Sequence, residues 1–84
     1  MKICVVGSRS ITSFDLAPYI PREVELMITG GAKGIDSLAE EFADKNSISK
    51  LVIRPNYRRY GRAAPLLRNE EMINMADMVL AVGR

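Results

Sequence analysis

An α/β fold built on a parallel sheet is what this sequence predicts, and three observations carry it. Four short segments, KICVV (2–6), VELMIT (24–29), KLVIR (50–54) and MVLAV (78–82), read as strands that are buried on both faces. Helix signals lie between them, above all Ile35, Leu38, Ala39, Phe42 and Ala43 at i, i+3, i+4, i+7 and i+8. Gly7, Gly30-Gly31 and Pro55 punctuate the ends of the first three strands. Apolar strands that alternate with helices belong to a parallel sheet covered on both faces.

Each element has its own local reason. KICVV is short, apolar and partly β-branched, and Gly7 bounds it. In ITSFDLAPYI, Thr12 or Ser13 is suited to cap a short helix whose length Pro18 limits. VELMIT is the second strand, ended by Gly30-Gly31. From Ile35 to Lys45 the period becomes helical, with Glu40, Glu41, Asp44 and Lys45 turned away from the apolar face. KLVIR is the third strand, stopped by Pro55, and PNYRRYGRAAP is then a loop rich in arginine and tyrosine. Pro65 fits the first turn of a helix over roughly 66–76, and MVLAV is the fourth strand. The order β-α-β-α-β-α-β describes a small Rossmann-like domain with three layers.

Composition narrows the chemistry. The 84 residues make one domain with a small core, and 48% hydrophobic with 26% charged residues is an ordinary globular balance. The sequence has no histidine, which removes every Ser-His, Cys-His and His-metal arrangement. Its single cysteine, Cys4, allows no intrachain disulfide and sits in an apolar run, as a buried inert thiol would. No segment approaches the roughly 20 apolar residues of a membrane span, and no signal-peptide pattern opens the chain. A cytoplasmic location without a membrane partner is therefore expected.

Ligands of open parallel sheets bind beyond the carboxyl ends of the strands. The unusual residues of this chain gather there: Gly7, Ser8 and Arg9 after the first strand, then Gly30, Gly31, Ala32, Lys33, Gly34 and Asp36 after the second. Glycines before a helix let a phosphate approach backbone N–H groups, which the helix dipole also favours. The competing reading is a tight turn and nothing more. GGAKG fits neither the P-loop nor the dinucleotide fingerprint, and no cofactor or metal is expected. Asp36 is either a helix cap or a ribose contact. Tyr57 and Tyr60, in the arginine loop, are either loop anchors or stacking surfaces for a base.

Together, GSRSI, TGGAKGIDSLAEEFA and GRAAPLLRNEEMINMADMVLAV resemble the SLOG superfamily, chiefly its small YspA/YpsA-related proteins. The superfamily also holds the SMF/DprA and Lonely guy families. The resemblance covers nearly the whole chain. It implies strand order 3-2-1-4 and a pocket for a nucleotide or nucleotide-derived ligand at the ends of strands one, two and four. Carried over by motif, Gly7, Ser8 and Arg9 line one wall of that pocket, and Gly30, Gly31, Ala32, Gly34 and Asp36 another. Arg68 and Asn69 enter from the third helix. The Lonely guy loop with its catalytic glutamate has no counterpart before the final AVGR. Glu70 and Glu71 are the nearest carboxylates, and a solvated helix face accounts for them. Binding without catalysis is thus the main expectation.

Two alternatives remain beside it. One is single-stranded nucleic-acid binding of the DprA type, suggested by RPNYRRYGR, although a net charge of +2 is modest for that role. The other is a nucleoside-monophosphate phosphoribohydrolase of the Lonely guy type. Without the family's last strand, the fourth strand is expected to lie at an open edge, where a homo-oligomer would form.

Overall fold

The computed structural model describes residues 1–83. Four strands, β1 (Lys2–Gly7), β2 (Leu26–Thr29), β3 (Ser49–Val52) and β4 (Met78–Val82), form one sheet in the order β3-β2-β1-β4. Every pairing is parallel, with Ile3 beside Met27 and Met78, and Ile28 beside Leu51. The fold class expected from the sequence and the strand order implied by the resemblance are therefore those observed.

Alternation along the strands divides the core in two. Ile3, Val5 and Met27 face α1 (Ile35–Lys45) and pack with Ile35, Ala39 and Ala43. Cys4 and Ile28 point the other way and pack with Met72 of α3 (Ala64–Met75). Side chains of opposite parity reach opposite faces, so each helix seals one layer. Pro65 lies in the first turn of α3, where its missing N–H costs nothing.

Three expectations change. No helix capped by Thr12 or Ser13 forms in the β1–β2 connection. A single 3₁₀ turn, Ala17–Tyr19, stands there instead, and the Asp15 carboxylate accepts the Ala17 N–H at 3.1 Å. Pro18 is tolerated only at the start of a helical turn, and Pro21 follows three residues later, so nothing longer fits. The arginine loop is partly helical: α2 (Tyr57–Tyr60) is capped by the Asn56 side chain, and a 3₁₀ turn over Gly61–Ala63 leads into α3. Finally, β4 is not covered on both faces. Val79 remains 43% exposed, because Met72 and its neighbours close over β1, β2 and β3 instead.

The last residue of β2, Thr29, is fully buried, and its hydroxyl has no hydrogen-bond partner among the described residues. A hydroxyl desolvated without a partner is a net cost. Thr29→Val keeps the shape and removes that cost. The expected gain is about 1 kcal/mol, read as a higher urea midpoint at unchanged slope; a lower midpoint would refute it.

Candidate functional site

The carboxyl ends of β1 and β2 are built around two glycine junctions. The first joins β1, β4 and α1. Ser8 donates its N–H to the Val82 carbonyl at 3.1 Å, and its own carbonyl accepts the Ile35 N–H at 3.2 Å. Gly7 permits this closeness, since a Cβ there would strike the Val82 carbonyl and the Ile35 side chain. Gly34 caps α1 with φ +76° and ψ −127°, a conformation nearly closed to L residues. A side chain on Gly34 would also run into the Ser8 carbonyl and the Arg9 backbone.

This geometry bears directly on the phosphate reading of the opening turn of α1. The first helical donor, Ile35 N–H, is already taken by Ser8. Asp36 is buried, and its carboxylate reaches back to accept the Ala32 N–H at 3.1 Å. Asp36 is thus not the capping residue itself, which is Gly34; it sits within the first turn, where a negative charge is favoured by the helix dipole. Two donors that would greet an anion are occupied by the chain. Lys33 and Arg9 are exposed beside this turn.

The second junction joins β2, the segment after β3, and α3. Gly30 is buried, and Arg68 Nη1 donates to its carbonyl, while Arg68 Nε donates to Asn69 Oδ1 at 2.8 Å. Arg54 Nη1 donates to the next carbonyl, that of Gly31, at 3.2 Å. Two arginines from different elements therefore hold consecutive carbonyls at the end of β2. Gly30 is needed for this contact, because a Cβ would sit 2.6 Å from the guanidinium carbon of Arg68. Gly31, with φ +72°, would meet the Arg54 guanidinium in the same way.

Arg68 is unusual for its place. It occupies the inner stripe of α3 with Ala64 and Met72, and only 8% of its surface is exposed. Buried arginines are normally paired with carboxylates. Among the described residues, neither Arg68 nor Arg54 forms an ion pair; the ion pairs present join Met1 to Glu25 and Lys50 to Asp44. Both arginines line a cleft of about 210 Å³ with Asn56, Tyr60, Leu67 and Glu71. Arg68 Nη2 has no acceptor among the described residues.

The sequence-predicted residues are thus divided between the junctions. Gly7, Ser8, Arg9 and Gly34 belong to the first, with Ala32 and Asp36 closing the same turn. Gly30, Gly31, Arg68 and Asn69 belong to the second. Tyr57 is 55% exposed and does not line the cleft, whereas Tyr60 does, with the Arg59 guanidinium 5.3 Å from its ring centre. Arg54 and Asn56 were not among the predicted site residues; the arginine run from 54 to 68 was the signal that points to them. Of the two glutamates considered, Glu71 lines the cleft. Two larger hollows, of about 450 and 330 Å³, are both bordered by Phe42 and Asn46 and are lined by none of the predicted site residues.

Cys4 lies beneath this region. Burial raises its thiol from the ordinary 9.0 to about 11, the Asp36 carboxylate adds to the effect, and Arg68 opposes it. The thiol is therefore neutral and unreactive at physiological pH. Because the folded value lies above the unfolded one, the stability it contributes is complete below about pH 9 and is lost as pH rises through 11. A disulfide reagent at near-neutral pH should leave native Cys4 unmodified and titrate one thiol after denaturation. Rapid labelling of the native protein would contradict this.

Among known proteins, the chain matches no family model, no curated protein and no solved structure.

Proposed function

We propose that the protein binds a nucleotide or nucleotide-derived ligand at the carboxyl edge of its sheet, as a sensor or carrier module. The observation that carries this reading is Arg68, a nearly buried arginine that has no carboxylate partner among the described residues and lines a cleft with Arg54 and Tyr60. A desolvated guanidinium is strongly attractive to an anion, and an adjacent ring offers a face to a base. The likeness of three sequence motifs to SLOG proteins supports the same reading. The test is a calorimetric titration with AMP, ADP-ribose and inorganic phosphate. Binding of at least one is expected, and a protein that binds none overturns the proposal.

Exposed Tyr57 beside Arg58, Arg59 and Arg62 supports a second reading, single-stranded nucleic-acid binding. Phosphate contacts of this kind carry no sequence information and weaken with salt. Submicromolar affinity for a single-stranded oligonucleotide at near-physiological salt would place this reading first.

Self-association belongs to the same proposal. Among the described residues β4 pairs only with β1, and its five residues carry no charge to deter pairing with a second copy. Sedimentation should show a dimer or larger species at micromolar concentration. A stable monomer at high micromolar concentration would contradict it.

A further inference from the structure

We infer that the anion is seated between Arg54 and Arg68, on the α3 side of the Gly30-Gly31 turn, and that its class is a phosphomonoester dianion. This inference rests on the ligand-binding reading above and locates the charged group within it. The alternative seat, the N-terminus of α1, is largely closed by the chain itself. Ser8 supplies an acceptor for Ile35 N–H, the Asp36 carboxylate takes Ala32 N–H, and the Ser8–Arg9 backbone fills the space over Gly34. A carboxylate already resident in that turn also repels a second anion.

The arginine cleft has the opposite character. Each guanidinium is anchored through Nη1 to a backbone carbonyl, Arg68 to Gly30 and Arg54 to Gly31. Anchoring through one arm fixes the direction of the others before a ligand arrives, which lowers the ordering cost of binding. Neither arginine has a carboxylate partner among the described residues, and Arg68 Nη2 has no acceptor there. Two arginines lining one cleft suit the several oxygens of a phosphate better than the two of a carboxylate.

The remaining lining residues refine the class. Glu71 faces the same cleft and offsets one of the two positive charges, so a ligand must bring enough charge to outweigh it. A terminal phosphate, doubly charged near neutral pH, does so; a diester, with a single charge, does so less well. A cleft of about 210 Å³ has room for a phosphate and a small attached group. Tyr60 lines the same cleft and offers its ring to an attached base.

The experiment is calorimetric titration of wild type, Arg54→Gln, Glu71→Gln and Lys33→Gln with AMP, 3′,5′-cyclic AMP and inorganic phosphate. Arg54 is exposed and makes one backbone contact, so its replacement leaves the fold intact. Wild type should bind AMP at least tenfold more tightly than the cyclic diester. Arg54→Gln should weaken AMP and phosphate at least tenfold, Glu71→Gln should strengthen phosphate, and Lys33→Gln, beside α1, should change neither by more than twofold. AMP binding that is unaffected by Arg54→Gln but weakened by Lys33→Gln overturns the seat while leaving the ligand-binding reading intact. Equal affinity for AMP and the cyclic diester overturns the dianion class. Failure of wild type to bind any of the three overturns the inference, and the binding reading beneath it falls as well only if ADP-ribose also fails to bind.

Discussion

Gly34→Ala should destabilise the protein more than any other single change considered, by about 3 kcal/mol or more. Two effects add at this position. The backbone angles, φ +76° and ψ −127°, are open to glycine and strained for every residue with a Cβ. The new methyl would also be directed at the Ser8 carbonyl and the backbone of Arg9. Neither neighbour is the far end of a flexible side chain, so relief requires the loop after β1 to move. That loop is fixed by Ser8, which bonds Val82 on one side and Ile35 on the other. Displacing it breaks the connection between β4 and α1 as well as straining the turn. For a domain of this size the melting temperature should fall by roughly 10–20 °C. An alanine variant within a few degrees of wild type would show that the turn can rearrange cheaply.

The second large effect belongs to Arg68→Ala, which should cost about 2–3 kcal/mol in folding stability. The motif resemblance gives Arg68 a place in the ligand pocket and no part in folding. The structure assigns the side chain a supporting role as well. Its stem fills the inner stripe of α3 between Ala64 and Met72, and its guanidinium holds the Gly30 carbonyl. Alanine would leave that buried carbonyl without its partner and a void beneath the helix. Loss of a buried charge that has no carboxylate partner among the described residues offsets part of the penalty, but Arg68 keeps some exposure, so the offset is small. Urea unfolding should show a lower midpoint at unchanged slope. A midpoint equal to that of wild type would mean that Arg68 supports nothing. For ligand binding, Arg54→Gln is therefore the cleaner probe, since it separates anion affinity from folding.

Local pattern determined most of the architecture. The spacing of Ile35, Leu38, Ala39, Phe42 and Ala43 marks α1 over the residues observed, and MVLAV is β4 without adjustment. β1 differs from its expected span by one residue, while the bounds of β2 and β3 move by one or two. These features were legible because helix and strand periodicity is written between near neighbours, and because proline and glycine restrict the backbone wherever they stand.

Tertiary contact decided the rest. The apolar run of β4 does not reveal that α3 leaves Val79 bare, because coverage depends on which strands the helix overlies. Gly7 and Gly34 read equally well as ligand clearance or as turn residues until Ser8, Ile35 and Val82 are brought against them. Arg68 reads as one arginine in a basic run. Its bond to Gly30, 38 residues away, follows only when α3 packs across the end of β2. Arg54 reaches Gly31 by the same closure, across 23 residues. Helix and strand periods are properties of adjacent residues and survive in the sequence. The arginine cleft depends on the register of β1, β2 and β3 and on the placement of α3, which long-range packing alone supplies.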